Sequence, residues 1–201
     1  MCMPLMSRRS PDGSLLLLRS ETHAVYVYKY FHHETPRLCS TYQAPSPILD
    51  LQWYKLPAMA PINHGIERRW CYVISCRDVP TRFVDSIDAC TKASYGIINH
   101  VEMYDPLFAL TFSDDASWMY AGQRNALALF PLHAVGNNHH LALDLSSQAS
   151  EQYEGGQHGI VSALAVGSSP AAAQQDALET VQVTAVGTFT NLAVSYTHLT
   201  L

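Results

Sequence analysis

Pro106 to Phe130, PLFALTFSDDASWMYAGQRNALALF, decides the fold. It opens on an apolar run, Leu107 to Phe112, and breaks at Ser113-Asp114-Asp115-Ala116. It resumes at Trp118 to Ala121, breaks again at Gly122 to Asn125, and ends on Leu127 to Phe130. Short β-rich runs separated by tight turn chemistry predict an antiparallel meander, because each strand needs only a short connection to pair with the last. Gly suits those connections because it tolerates positive φ, and Asp because it bonds neighbouring backbone. Runs this short, cut twice by turn residues, leave no room for three helical turns.

The pattern recurs. Ser10-Pro11-Asp12-Gly13 precedes Leu15 to Leu18, then Ser20 to His23, then Val25-Tyr26-Val27-Tyr28. In this copy Ser10 stands for Ser113, Asp12 for Asp115, and Val25 and Val27 for Leu127 and Leu129. Near the other end, Gly159 to Val166 and Val181 to Val186 supply two runs. Gly187 to Asn191 reads as a turn and Leu192-Ala193-Val194 as a third run. A looser copy has its runs at Ile48 to Tyr54, Trp70 to Cys76 and Thr81 to Asp85. Four β-meanders in about two hundred residues point to an all-β, WD40-type β-propeller, whose blades are four-stranded sheets of roughly 40 to 50 residues. A β-sandwich is the competing architecture, and spacing alone does not exclude it. The blades are expected at about 10–47, 48–96, 106–145 and 158–194, with 1–9 unassigned and the first blade short of its innermost strand.

Composition sets bounds. The 201 residues are 48% hydrophobic and 14% charged, a globular balance with no block of like charges. A net charge of −5 argues against a broad nucleic-acid-binding face, which draws on clustered Lys and Arg, but leaves room for a small basic site. The five cysteines, Cys2, Cys39, Cys71, Cys76 and Cys90, are odd in number and unpaired in spacing; Cys71 and Cys76 fall on opposite sides of one expected strand. Reduced, partly buried thiols in a soluble cytosolic or nuclear protein are the expectation. Asn-x-Ser/Thr sites, an apolar leader and any run near the ~20 residues of a membrane span are all missing from the sequence.

Between the runs, His32 to Pro47 reads as strand tail and loop, and Ile48-Leu49-Asp50-Leu51-Gln52-Trp53 alternates like a half-buried strand. Pro57 to Arg69 is an insertion between strands, and Arg77-Asp78-Val79-Pro80 a turn. Cys90 to Tyr95 and Leu141-Ala142-Leu143 are outer-strand candidates, with His133 to Asn138 a loop. Ser168 to Gln175, SSPAAAQQ, is low in complexity and reads as a loop.

Four segments, YVISCRDVPTRFVDSIDACTKASYGIINH, LTFSDDASWMYAGQRNALALF, GGQHGIVSALAV and VTAVGTFTNLAVSY, resemble the telomerase Cajal body protein family of WD-repeat proteins. The most telling piece is Ser75-Cys76-Arg77-Asp78-Val79-Pro80 followed by Val84-Asp85, similar to a family turn and the Trp-Asp-like pair closing the next strand. Gly159-Ile160-Val161-Ser162 after Gln157-His158 is similar to the opening of the family's next blade. The resemblance covers roughly Ile48 to Tyr196. It implies a seven-bladed propeller in the nucleus; no cofactor is expected, and the sequence itself gives no membrane span. Its animal members bind a short box in Cajal-body and telomerase RNAs, and its fungal relatives are tied to spliceosomal RNA biogenesis. The expected partners are therefore small nuclear or Cajal-body RNA with associated RNP proteins, and other proteins through the propeller faces. About four blades stand where closure needs seven, so the ring is not expected to close on this chain. A fragment is the expectation, with Ser195 to Leu201 a non-native or truncated tail and the last blade lacking its outer strand.

Several residues invite chemistry. His32-His33 and His139-His140 are adjacent pairs, which in a strand point opposite ways and do not converge as zinc ligands. Asp114-Asp115 are neighbours in a turn and serve the backbone rather than acid–base catalysis. No nucleophile elbow, phosphate loop, His-Glu-x-x-His or Cys-x-x-Cys occurs, so nothing supports an enzyme. His158 stands at the position that begins many WD blades, where it bonds across the blade to fix the strands. Asp85 takes the matching turn role, against the alternative of a solvated turn carboxylate. Arg68 and Arg69 before Trp70, and Arg124 in a turn, are the candidate RNA contacts, because arginine bonds phosphate and stacks on bases. The alternative for each is a solvated loop arginine. Two functions stand: an RNA-particle scaffold, and a propeller that only holds proteins together.

Overall fold

The computed structural model describes residues 4–30, 35–55, 70–145, 159–168, 182–189 and 194–200. Among them there is no helix, and the strands form antiparallel sheets. The chain divides into two compact units, Met1–Pro106 and Leu107–Leu201.

In the first unit, β1 (Pro4–Arg9), β2 (Leu15–Ser20), β3 (Ala24–Lys29) and β4 (Arg37–Gln43) pair in chain order as one antiparallel meander. A second meander follows: β5 (Ile48–Lys55), β6 (Trp70–Cys76), β7 (Thr81–Asp85) and β8 (Thr91–Gly96). In the second unit, β9 (Ala109–Phe112), β10 (Trp118–Gly122) and β11 (Ala126–Pro131) are the three runs of the opening stretch. Past the two-residue β12 (Gly136–Asn137), β13 (Leu141–Asp144) joins the outer side of β11. The last sheet is β14 (Ile160–Ser168), β15 (Gln182–Phe189) and β16 (Val194–Thr200), again antiparallel.

Three expectations need correction. Residues 1–9 do not leave the first blade without an inner strand: Pro4–Arg9 is β1, paired to β2 with an irregularity near Met6. Its Arg8 looks misplaced in a strand until its partners on β5 are seen. His32 to Pro47 is not all tail and loop, because Arg37–Gln43 is the edge strand β4. Its residues are mostly exposed, with only Ser40 and Tyr42 partly covered, and such an edge strand gives no clear apolar alternation to read. In the last sheet, Gly187 does not turn the chain. It sits inside β15 opposite Tyr196, and the segment set apart as a tail pairs as β16 from Val194 to Thr200. Pro57 to Arg69 and most of Ser168 to Gln175 lie outside the described residues, as do residues 190–193.

The hairpin turns explain why the meanders close where they do. Between β1 and β2, Ser10 Oγ donates to Asp12 Oδ1 (2.6 Å) and accepts the Leu15 N–H (2.9 Å). The Asp12 carboxylate also takes the Ser14 N–H and hydroxyl, at 3.0 and 2.9 Å. Between β9 and β10 the same bonds recur. Ser113 Oγ donates to Asp115 and accepts the Trp118 N–H, while Ser117 donates both N–H and hydroxyl to Asp115. Gly13 takes φ +76 in the first turn, and Ala116 takes φ +58 at the same position in the second. A Cβ there costs about 1 kcal/mol, so the Ser-Asp-Ser bonds hold Ala116 where glycine would sit freely.

The two sheets of the first unit bury a shared core of Leu17, Val25, Val27, Ile48, Leu51, Tyr72, Ile74, Cys76 and Val84. A polar clasp runs beside it. Arg8 donates from Nη1 to Gln52 Oε1 (2.6 Å) and pairs through Nη2 with Asp50 (3.3 Å). Trp53 Nε1 returns a bond to the Arg8 carbonyl (3.1 Å), and Trp70 Nε1 reaches Asp12 in the β1–β2 turn (2.8 Å). Trp53 meets Trp70 and Tyr72 edge-on, with ring centroids 6.2 and 6.3 Å away. Area burial holds the sheets together, and the indole bonds set how they sit, since a buried N–H without a partner is costly.

In the second unit, Tyr120, Leu127, Leu129, Leu145 and Val161 form the core between the β9–β13 sheet and β14. The approach is close. A Cβ added at Gly122 would lie 2.5 Å from Val161 Cγ1 and 3.0 Å from the Val161 carbonyl oxygen. The Val161 N–H bonds the Gln123 carbonyl at 3.0 Å, so β14 cannot simply retreat. Gly122→Ala is expected to destabilise the protein by about 1–3 kcal/mol through overpacking; a urea melt with an unchanged midpoint would contradict this packing.

Candidate functional site

The sequence candidates fall on turns at the strand ends. Asp85 closes β7. Its N–H donates to the Cys90 carbonyl (3.0 Å) and its own carbonyl accepts the Ala89 N–H (3.1 Å). Oδ1 takes the Ile87 N–H at 2.9 Å, and the Asp88 N–H lies at 3.4 Å. Lys92 Nζ stands 4.0 Å from Oδ2. Asp85 is fully buried, unlike a solvated turn carboxylate. Beside it, the Ser86 N–H bonds the Trp70 carbonyl (3.2 Å), and Ser40 Oγ on β4 donates to the Ser86 carbonyl (2.7 Å). One carboxylate thus shapes a turn that joins β6, β7 and the edge of the first sheet. Replacing Asp85 by Ala strands the Ile87 N–H and is expected to cost about 1–3 kcal/mol. Asp85→Asn keeps an acceptor and should cost less; equal midpoints for the two variants in denaturant would rule this capping role out.

Arg124 lies in the β10–β11 turn with its side chain exposed and its backbone bridged to Ile160. Next to it, Asn125 takes φ +60 and exchanges bonds with Gly159: its N–H donates to the Gly159 carbonyl (2.8 Å), and Oδ1 accepts the Gly159 N–H (2.6 Å). The turn is fixed on both sides while the guanidinium is presented outward. Arg68, Arg69 and His158 lie outside the described residues. His139 and His140 do not converge: His139 is exposed, while His140 tilts against Phe130 at 5.4 Å, and burial pushes its pKa down. Among the described residues, no group of three or more His, Cys, Asp or Glu is placed to hold a metal ion.

The sequence singled out neither Arg19 on β2 nor Arg82 on β7. They lie where the first two sheets meet, as does the buried Cys76 thiol on β6. Burial pushes that thiol up to about 11 against the opposing pull of Arg82 and Arg19, so it stays neutral at physiological pH. Arg82 Nη1 donates to Tyr42 Oη at 2.9 Å. No local motif links residues so far apart in the chain; only the packing of β2 against β6 and β7 does.

The turn aspartates carry the clearest electrostatic signature. Partial burial raises the Asp12 carboxyl, but bonds from Ser10, Ser14 and Trp70 together hold it well below the usual carboxylate range. At Asp115, bonds from Ser113 and then Ser117 lower the pKa in the same way. A depressed folded-state pKa gives stability that is present above the unfolded value near 4 and is lost as pH falls through the folded value. Asp12→Asn is therefore expected to cost about 1 kcal/mol at neutral pH, discounted for the exposure of the group. That difference should shrink steadily below about pH 4. A wild-type–variant gap constant from pH 7 to pH 2 would refute the charge-based origin.

No family model matches the chain. It is similar to Guanine nucleotide-binding protein negative regulator 1 of Schizosaccharomyces pombe, 26% identical over 135 residues, which is 62% of this chain and 33% of that protein. It is also similar to human Telomerase Cajal body protein 1, 26% identical over 167 residues, 78% of this chain and 28% of that protein. The bovine protein of the same name is 25% identical over 167 residues, 78% of this chain and 29% of that protein. The chain thus spans about a third or less of the length of these relatives. Together with the antiparallel meanders, the similarities make the fold a partial WD40-type β-propeller of about four blades, the architecture of an interaction scaffold.

Proposed function

We propose that this chain is part of a non-catalytic, nuclear WD-repeat scaffold that binds small nuclear or Cajal-body-type RNA and assists ribonucleoprotein biogenesis or targeting. The similarity to Telomerase Cajal body protein 1 across 78% of the chain carries the proposal. In this reading the propeller is a rigid frame. Asp85 and His158 serve it as structural WD-type residues, and Arg68, Arg69 and Arg124 meet phosphate or base. The exposed Arg124 on a turn whose backbone is fixed supports the last assignment, because the backbone beneath the guanidinium has no freedom left to lose on binding.

A second reading, a scaffold that joins proteins and binds no RNA, is favoured by the net charge of −5 and by the yeast relative, whose name ties it to a guanine nucleotide-binding protein. Affinity capture from nuclear extract with and without ribonuclease separates the two. Enrichment of small nuclear RNA, and partners lost on nuclease treatment, are expected. The combined replacement of Arg68, Arg69 and Arg124 by alanine should weaken RNA binding and flatten its salt dependence, by about one slope unit for each lost phosphate contact. Partners that all resist nuclease would overturn the RNA reading.

A further inference from the structure

We propose that Arg19 and Arg82 form a second phosphate-contact site, at the junction of the first two sheets, that grips the backbone of a bound RNA. This rests on the RNA-scaffold reading and gives it a place on the molecule that no sequence motif marks.

Arg19 lies near the end of β2, opposite Met6 on β1 and Val25 on β3. It is half-buried, and its Nε–H is fully buried with no hydrogen-bond partner. Arg82 lies on β7 opposite Ile74 on β6, half-buried, and Tyr42 Oη, at 2.9 Å from Nη1, is its acceptor among the described residues. Arg19 pairs with Val25, Val25 pairs with Tyr42 on β4, and the Tyr42 hydroxyl takes the Arg82 bond, so both arginines border Tyr42 where the two sheets meet. Among the described residues neither has a carboxylate within 4 Å: the ion pairs there are Arg8–Asp50 and those of Lys92 with Asp85 and Asp88. Two half-buried cations sharing a site without a counter-ion repel each other and have shed part of their hydration. An anion that accepts from both relieves both costs at once.

The neutral Cys76 thiol cannot be that anion. A phosphodiester can, since each guanidinium presents a planar fork that matches two phosphate oxygens. The rest of the junction favours RNA over a phosphorylated protein. The partly exposed Tyr42 ring is bonded to Arg82, so a phosphate contact stands beside a surface on which an unpaired base stacks. The exposed Arg77 follows Cys76 directly, but Asp78 next to it offsets its charge, so the pair in the junction carries the site.

The test is fluorescence anisotropy of the whole chain with a labelled single-stranded RNA, across a salt series, for wild type, Arg19→Gln/Arg82→Gln and Arg19→Lys/Arg82→Lys. The glutamine pair is expected to lose affinity on the order of tenfold and to reduce the salt slope by about two. The lysine pair should keep the slope while losing part of the affinity, because charge remains and the fork does not. In case the glutamine pair folds poorly, the Nε–H resonances of Arg19 and Arg82 in ¹⁵N-labelled wild type provide an independent readout, and both are expected to move on RNA addition. RNA binding that leaves those resonances still, or an unchanged slope in a folded glutamine pair, overturns this site and leaves the scaffold reading intact. A wild type that binds no RNA overturns both. Binding of a phosphoserine peptide in its place would reassign the site to a protein partner and overturn the proposal as stated.

Discussion

Every residue of β6, Trp70 to Cys76, is buried, and that constraint organises the first unit. Side chains alternate across a strand, so a strand without an exposed face belongs to a sheet covered on both sides. One face carries Tyr72, Ile74 and Cys76 into the core shared with the first sheet. The other carries Cys71, Val73 and Ser75, beside a ladder in which Phe83 meets Tyr54 at 5.1 Å and Tyr95 at 5.3 Å. A two-layer protein with one solvated face per sheet would show a polar residue at every second position of this strand. Its absence is what a stack of blades requires and what a simple sandwich does not.

Apolar burial of that kind is not directional, and polar bonds supply the direction. The indoles of Trp53 and Trp70 point their N–H groups at the Arg8 carbonyl and the Asp12 carboxylate, both on the first sheet. Asp12 is already held by two serines in its own turn, so Trp70 bonds an acceptor fixed before the sheets meet. The corresponding turn in the second unit has the same Ser-Asp-Ser bonding around Asp115. A local motif thus does two jobs: it closes a hairpin, and at Asp12 it also receives the neighbouring blade.

What could be read from the sequence follows that division between local and distant causes. The β9–β11 stretch, the turn equivalence of Ser10 with Ser113 and Asp12 with Asp115, and the strands at β6, β7 and β13 were legible because pattern and turn chemistry are local. β1 and β4 were not. Arg8 belongs in β1 only because Asp50 and Gln52 await it across the sheet boundary, and β4 is a polar edge whose single cue is pairing to β3. Gly187 was read as a turn because glycine punctuates most loops, whereas here it lies in a strand opposite Tyr196. The candidate sites divide alike: Asp85 announces itself by the turn it closes, while the junction of Arg19 with Arg82 exists only after the sheets pack.

Under the proposed RNA reading, that junction also removes the conflict between an acidic chain and an anionic partner. A net charge of −5 is a sum over the whole sequence, and in physiological salt its field fades within about 8 Å of each exposed charge. A phosphate seated between two half-buried guanidinium groups is in contact with them and is screened far less, because protein rather than water lies around the pair. Bulk charge therefore governs how fast RNA arrives, and the local pair governs how long it stays. In the proposed reading, such a protein is slow to attract nucleic acid in general and retains a strand seated at the first sheet junction. Selectivity then comes from where the few cations stand rather than from how many there are.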